Sequence, residues 1–406
     1  MLKNRTLLAV SLAVCAAYTG IGMIVPVRVL YAQSLGASLA IISAMASAYL
    51  IANFAAQYPS GWLADRWGRR SVMFAGLVAQ AALTLAYLFI VDPVLFVVLR
   101  FAEGIFGATV LPPARALIAD EVPVEQRGRA YGIFGGFLNA GFLLGPAVGG
   151  LVASTNFATA FVGAVAFRLL ALVIVLTLIP RRLRAGEQPH EQRTGAAVGV
   201  KLRAIFTLPL VGAYVLAFGD YLYLGFDLAL MPLWMHDHLG ASVAVIGLAY
   251  VTWAIPGIIM APIGGRIADR VRRSLLILIF GLGQVPLYVA YGLANVAGVV
   301  VVLFGVQALL YAVIQPAVDA HLAAASPLHA RARVQGMYTT VGAFGAFVGS
   351  SVFTPLYALD FRLPLFALGA SYGLCVLIGG LMVRRSEARG GVALPAKRRT
   401  VPAPTI

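Results

Sequence analysis

The residues that could do chemistry are ionisable side chains set inside long apolar runs. Arg100 and Glu103 stand one helical turn apart on one face of the run that begins near Pro93. Asp220 and Asp227, seven residues apart, share a face of the run beginning near Leu208. Arg28 lies toward the end of the first run and Arg168 in the middle of the sixth. Ionisable groups held in hydrocarbon cost several kcal/mol, so they mark proton relays, ion paths or substrate sites. Glu103 reads as a proton-carrying acid with Arg100 as its counter-charge, or as half of a static pair that fixes the fold. Asp220 and Asp227 are the other proton candidates. Arg168 suits an anionic lipid contact or a buried partner. His236-Asp237-His238 invites a metal, but two histidines and one aspartate without further ligands read as a solvated loop. The sequence has no nucleotide loop, no Ser/His/Asp set and no zinc spacing. It therefore points to no enzyme, no metal, no cofactor and no ATP-driven pump.

The elements that position these groups are membrane spans. Of 406 residues, 61% are hydrophobic and 11% charged, against roughly 25% charged in a soluble domain. Apolar stretches long enough to cross a bilayer recur from end to end. No alternating ten-residue pattern appears, which excludes a β-barrel. Helices are expected to begin near Thr6, Ser38, Ser71, Pro93, Arg129 and Phe157. A second set begins near Leu208, Ser242, Ser274, Asn295, Arg333 and Phe361. The net charge of +15 does not mark nucleic acid. Its Lys and Arg gather at the N-terminus, in alternate loops and in the tail, which places both termini and the basic loops in the cytoplasm. The first run extends to Val29 without a small-residue cleavage site and reads as an uncleaved span. Cys15 and Cys375 lie in apolar runs, so no disulfide framework is expected.

The halves repeat without a gap. Leu35-Gly36-Ala37-Ser38 recurs 204 residues on as Leu239-Gly240-Ala241-Ser242, and Gly61 to Arg66 recurs as Gly265 to Arg270. Gln80 matches Gln284, Pro112 matches Pro316, and Glu103 matches Gln307. The division follows: residues 1–180 form one six-helix half, 181–207 a cytoplasmic linker, 208–385 the second half and 386–406 a cytoplasmic tail. Parallel six-helix repeats place a site near the midplane between halves. Arg28 and Asp227 then stand at similar depth on symmetry-related helices and are expected to form an ion pair. The alternative is that both reach the interface and stay solvated. Arg115 and Asp319, repeat-equivalent and oppositely charged, are expected to bridge a cytoplasmic gate when the cavity opens outward.

Gly61-Trp-Leu-Ala-Asp65-Arg66-Trp-Gly68-Arg69-Arg70 resembles the signature loop of the major facilitator superfamily, and Gly265 to Arg273 resembles its degenerate second copy. Arg100-Phe-Ala-Glu103-Gly104 is similar to that family's fourth-span motif, with glutamate in place of glutamine. Gly141-Phe-Leu-Leu-Gly145-Pro146-Ala-Val-Gly149-Gly150 resembles the fifth-span motif of its drug:proton antiporters. The resemblance covers essentially the whole chain. It implies an all-α membrane protein of twelve transmembrane helices in two six-helix repeats. Asp65 is expected to meet the start of the eleventh span near Ala330 to Arg333, and Asp269 the start of the fifth, as a conformational latch. Alternatively, the loop arginines only enforce topology. Gly145-Pro146 serves either close helix packing or bending and sealing. The first span carries Gly20, Gly22 and Met23 where many such antiporters place an acid, so coupling falls to Glu103 or Asp220.

Polar and aromatic stripes complete the expected cavity. Tyr49, Asn53 and Gln57 recur every four residues in the second span, and Gln307, Tyr311 and Gln315 in the tenth. With Asn139, Tyr221, Trp253 and Tyr338 they would line a wide aromatic cavity, each residue serving as a ligand contact or as helix glue. The reading is a secondary transporter in the inner membrane, multi-pass and monomeric. It would work by proton-coupled efflux of amphipathic or cationic small molecules, with protons and membrane lipids as its other partners. One rival is a transporter of a metabolite, sugar or lipid working as uptake, for which Arg28 would suit an anionic head group. A rival of another class is a non-transporting sensor or scaffold, which would need no two-state latch.

Overall fold

A computed structural model describes residues 4–123, 126–180, 205–268, 270–327 and 330–389. Its first six spans are Arg5–Ser34, Leu39–Trp67, Arg69–Phe89, Val94–Glu121, Arg127–Ala153 and Phe157–Leu178. The seventh is Leu208–Ala229 with its continuation Met231–Leu239. Val243–Ala268, Arg273–Leu293, Ala297–Ala325, Arg331–Leu359 and Leu363–Ala388 complete twelve. Each begins within two residues of the position expected from the sequence. Asp269, residues 181–204 of the linker and residues 390–406 of the tail lie outside the described residues.

The fourth, seventh and ninth spans divide beside prolines, and in the fourth, side chains take up the carbonyls released there. Pro112 has no N–H for the oxygen of Ala108, and the fourth span divides there into Val94–Gly107 and Leu111–Glu121. Ser60 Oγ donates to that orphaned oxygen at 2.8 Å. One turn earlier, Gln80 Nε2 donates to Phe106 O at 2.9 Å and Asn53 Nδ2 to Gly104 O at 3.1 Å. The break thus becomes a polar seam tying the second, third and fourth spans together. Pro232 and Pro286 sit just after the divisions of the seventh and ninth spans.

Packing follows the repeat. The first span lies against the fifth and sixth, as the seventh lies against the eleventh and twelfth. The second packs on the fourth, as the eighth packs on the tenth. The halves meet through the second and eleventh spans and through the fifth and eighth. Val162, Leu169 and Val173 of the sixth span and Leu374 and Leu377 of the twelfth remain exposed, the surface a lipid-facing helix needs.

The two ends of the cavity differ. At the end opposite the chain termini, Gln33 Nε2 donates to Asp237 Oδ2 at 2.8 Å, a contact between repeat-equivalent positions. Ser43 Oγ donates to Ser350 O at 2.7 Å, and the hydroxyls of Ser47 and Ser350 lie 2.9 Å apart. A Cβ on Gly150 would lie 2.8 Å from Val243 O and 3.0 Å from Gly247 Cα, so the fifth and eighth spans touch backbone to backbone. At the termini end, Gly132, Gly136 and Gly336 face open space and Tyr58 is 84% exposed. The hydrogen bonds between the halves at Gln33, Ser43 and Ser47 all lie at the end opposite the chain termini.

Candidate functional site

In the first half the ionisable groups converge on one carboxylate. Glu103 Oε2 accepts from Arg100 Nη1 at 3.0 Å and from the Tyr87 hydroxyl at 3.0 Å. Arg28 Nη2 lies 3.6 Å from the same oxygen. The Arg100 guanidinium stacks over the Tyr49 ring at 4.0 Å, and that of Arg28 lies 5.8 Å from the Tyr87 ring centre. Arg168, 2% exposed, enters from the sixth span beside Gly20. Its Nε and Nη1 are buried without a partner, as are Arg28 Nε and Glu103 Oε1. Two buried guanidiniums contact the carboxylate, and a third, Arg168, is buried without a hydrogen-bond or ion-pair partner among the described residues.

The expected Arg28–Asp227 pair is not formed. Arg28 turns to Glu103, while the Asp227 carboxylate accepts from the Tyr250 hydroxyl of the eighth span at 3.1 Å. The two residues share a depth but face different neighbours. The Arg115–Asp319 bridge is also absent. Both side chains are exposed at the termini end, and Asp319 accepts from Gln315 Nε2 at 3.0 Å. No ion pair joins the two side chains among the described residues.

The second half holds acids among aromatics. Asp220 Oδ2 lies 3.2 Å from the Tyr311 hydroxyl, which also lies 3.0 Å from Gln315 Oε1. Trp253 stands 5.4 Å from the Tyr311 ring and stacks on Tyr223 at 5.8 Å. Tyr221 packs against Gly342, and Tyr338 is buried nearby in sequence on the same eleventh span. Among the described residues, neither Asp220 nor Asp227 has an ion pair with a cation. Gln307 is fully engaged inside the protein. It accepts from Tyr291 at 2.7 Å and donates to Tyr288 at 3.0 Å, and Gln284 Oε1 lies 3.4 Å away.

The remaining expected residues divide between cavity and scaffold. Asn53 is spent on Gly104 O and receives Gln57 Nε2 at 3.4 Å, while Asn139 is exposed. In the signature loop, Gly68 has φ +90, a conformation that favours glycine. Asp65 lies 3.8 Å from Arg69, and Arg69 also contacts Asp120 and the carbonyl of Ala116. Arg70 donates to Val175 O at 3.1 Å and Leu176 O at 2.5 Å, and Arg66 stacks on Trp62 at 5.5 Å. Gly61 faces open space. Of the stretch Ala330 to Arg333 expected to meet Asp65, the side chains of Arg331 and Ala332 lie outside the described residues. Gly141, Gly145 and Gly149 all press on the first span. A Cβ on Gly145 would lie 2.6 Å from Gly22 Cα and 2.7 Å from Thr19 O. Pro146 meets both the first span at Gly22 and the eighth at Gly247, and Gly150 meets the eighth. His238 stacks on Phe361 at 4.1 Å while Asp237 holds Gln33, so the histidine pair does not converge.

Tyr87, Tyr223, Tyr250, Tyr288 and Tyr291 take part in these clusters and were missed from the sequence. The repeat held the signal for one of them. Tyr87 and Tyr291 are equivalent positions, and each donates to the equivalent residue of its half, Glu103 or Gln307. The same offset places Phe304 at the Arg100 position, Trp253 at the Tyr49 position and Tyr372 at the Arg168 position. One architecture is therefore built twice, once around charges and once around neutral aromatics.

A family model described as Major Facilitator Superfamily matches residues 10–231 and 222–405. Multidrug resistance protein 1 of Bacillus subtilis is 27% identical over 373 residues, covering 86% of this chain and 90% of that one. An uncharacterized MFS-type transporter of Methanocaldococcus jannaschii is 35% identical over 134 residues, 33% of this chain and only 35% of its own length. Among solved structures, a D-xylose-proton symporter superposes with a TM-score of 0.70 at 19% identity, covering 93% of this chain and 95% of that one.

Proposed function

The chain belongs to the Major Facilitator Superfamily and is a transporter rather than an enzyme, and we propose that it exports amphipathic, cationic small molecules by proton-coupled alternating access. The observation that carries this reading is the second-half site. Two acids on one helix meet tyrosine hydroxyls and aromatic rings, with no cation paired to either among the described residues. Such a carboxylate is neutralised equally by a proton or by a cationic ligand, and the two exclude each other. The rings of Trp253, Tyr223 and Tyr311 offer faces to an organic cation. Competition of proton and substrate for Asp220 then couples their movements, provided each occupant biases the two conformations differently.

Glu103 is less suited to that role than its place in the sequence implies. A proton on it would leave Arg28 and Arg100 without their shared carboxylate. The likeness to a multidrug resistance protein supports the export reading. The arginines gathered on the loops at the end of the chain termini support a cytoplasmic orientation for that end. Closing the cavity there would bring Arg115 and Asp319 together, while the Gln33–Asp237 and serine contacts part at the other end.

The test is efflux of a lipophilic cation such as ethidium from cells carrying the wild type or Asp220→Asn, with and without an uncoupler. Efflux that collapses with the uncoupler and is lost in Asp220→Asn supports the reading. Efflux that survives both treatments rejects it.

A further inference from the structure

The first-half cluster carries more positive charge than a structural ion pair requires. Arg28 and Arg100 meet one carboxylate, Glu103, and Arg168 is buried in the sixth span without a contact to it. Arg168 makes no hydrogen bond or ion pair among the described residues, and two of its nitrogens are buried without a partner. Burying such a group is costly unless something completes it. The repeat supplies an internal comparison. At equivalent positions the second half has Phe304, Gln307 and Tyr372, an uncharged set that packs in the same helical framework. The second half packs the positions of Arg100, Glu103 and Arg168 without charge, and has Pro232 at that of Arg28, so the same framework is built there without arginines.

A small cavity opens against two of them. It is lined by Arg28 and Arg100 and otherwise by apolar side chains, among them Val29, Ile42, Met45 and, from the other half, Leu228. Its walls therefore join a cationic end to a greasy one at the seam between the halves. We propose that the Arg28/Arg100/Arg168 cluster is a binding subsite for the carboxylate or phosphate group of an amphipathic anion. The planar guanidiniums suit oxyanions, accepting them through paired N–H donors. An incoming oxyanion would meet Arg28 and Arg100 in the cavity wall, with Arg168, which does not line the cavity, adding its unpaired charge, while its alkyl or aryl part lies along Val29, Ile42 and Met45. The inference rests on the transporter reading for access to the cavity, but on neither proton coupling nor a cationic substrate. Together with Asp220 it makes zwitterionic amphiphiles the substrates that engage both halves at once.

The test uses the purified full-length protein in a neutral maltoside detergent, titrated with dodecyl phosphate and with dodecanoate. Dodecyltrimethylammonium serves as the control for the second-half site. The wild type should bind both anions and melt at higher temperature with them. Arg168→Gln should bind them at least tenfold more weakly, yet bind the ammonium normally and melt, ligand-free, no lower than wild type. Arg168→Lys keeps the charge and loses the planar fork, so it should bind with intermediate affinity; it also serves if the glutamine variant does not fold. Competition by phosphatidate in nanodiscs, but not by salicylate, assigns the site to a lipid head group. The converse assigns it to a soluble organic anion, and either keeps the subsite. The proposal is overturned if neither alkyl anion binds the wild type. It is equally overturned if Arg168→Gln binds them unchanged, or if it melts lower and loses ammonium binding too, as a purely structural arginine would. Loss of ammonium binding in Asp220→Asn with anion binding intact separates this subsite from the export reading.

Discussion

Replacing Glu103 by glutamine removes the carboxylate that Arg28 and Arg100 share, without changing the side chain's shape. The wild-type oxygen takes Arg100 and Tyr87 at 3.0 Å and Arg28 at 3.6 Å. Removing one partner of a buried ion pair costs about 3–5 kcal/mol, because the other charge stays buried. With about 2–4 °C per kcal/mol for a unit of 150–250 residues, the melting temperature should fall on the order of 10 °C. The second half supplies the compensation, since Phe304 and Gln307 occupy the positions of Arg100 and Glu103. Arg100→Phe combined with Glu103→Gln should therefore recover much of the loss, despite forfeiting the Tyr49 stacking worth about 0.5–2 kcal/mol. The assay is thermal unfolding of the detergent-purified single and double variants, completed as a cycle with Arg100→Phe. Independent, additive losses would refute the coupling, and an unshifted Glu103→Gln would refute the electrostatic reading of the cluster.

Further perturbations test other parts of the structure. Gly145→Leu must push the first and fifth spans apart where a Cβ already lies 2.6 Å from Gly22 Cα; a loss of about 1–3 kcal/mol or more is expected in thermal unfolding. Ser60→Ala leaves the Ala108 oxygen released by Pro112 unpaired, and should cost about 1–3 kcal/mol. The double variant Ser60→Ala/Pro112→Ala, which restores the backbone donor, should recover part of it in the same melt. Cysteines at positions 115 and 319, with Cys15 and Cys375 replaced, should cross-link only when the cavity closes at the termini end. Equal cross-linking in a state locked by a 33–237 disulfide would contradict alternation between the two ends.

What the sequence revealed and concealed has a physical pattern. Span starts were legible because an apolar run of bilayer length ends at charged or turn-forming residues, and the 204-residue offset fixed the two halves. Depth along a helix could be counted from those starts. Rotation about the helix axis could not, which is why Arg28 was matched in height to Asp227 but turns toward Glu103. Tyr288 and Tyr291 escaped notice because tyrosine in an apolar helix carries no charge to flag it; their role appears only when Gln307 is seen between them. Arg115 and Asp319 illustrate a third limit, since a sequence encodes both ends of a transport cycle and one structure holds one of them.

The most direct test of the central claim is proton movement driven by substrate in a defined membrane. Purified protein is reconstituted into liposomes containing a pH-sensitive dye, and a gradient of tetraphenylphosphonium is imposed without any other ion gradient. The expected result is a proton flux opposite to the cation flux in the wild type and none in Asp220→Asn. Cation flux with no accompanying proton movement, or proton movement that persists in Asp220→Asn, would contradict coupling at that residue.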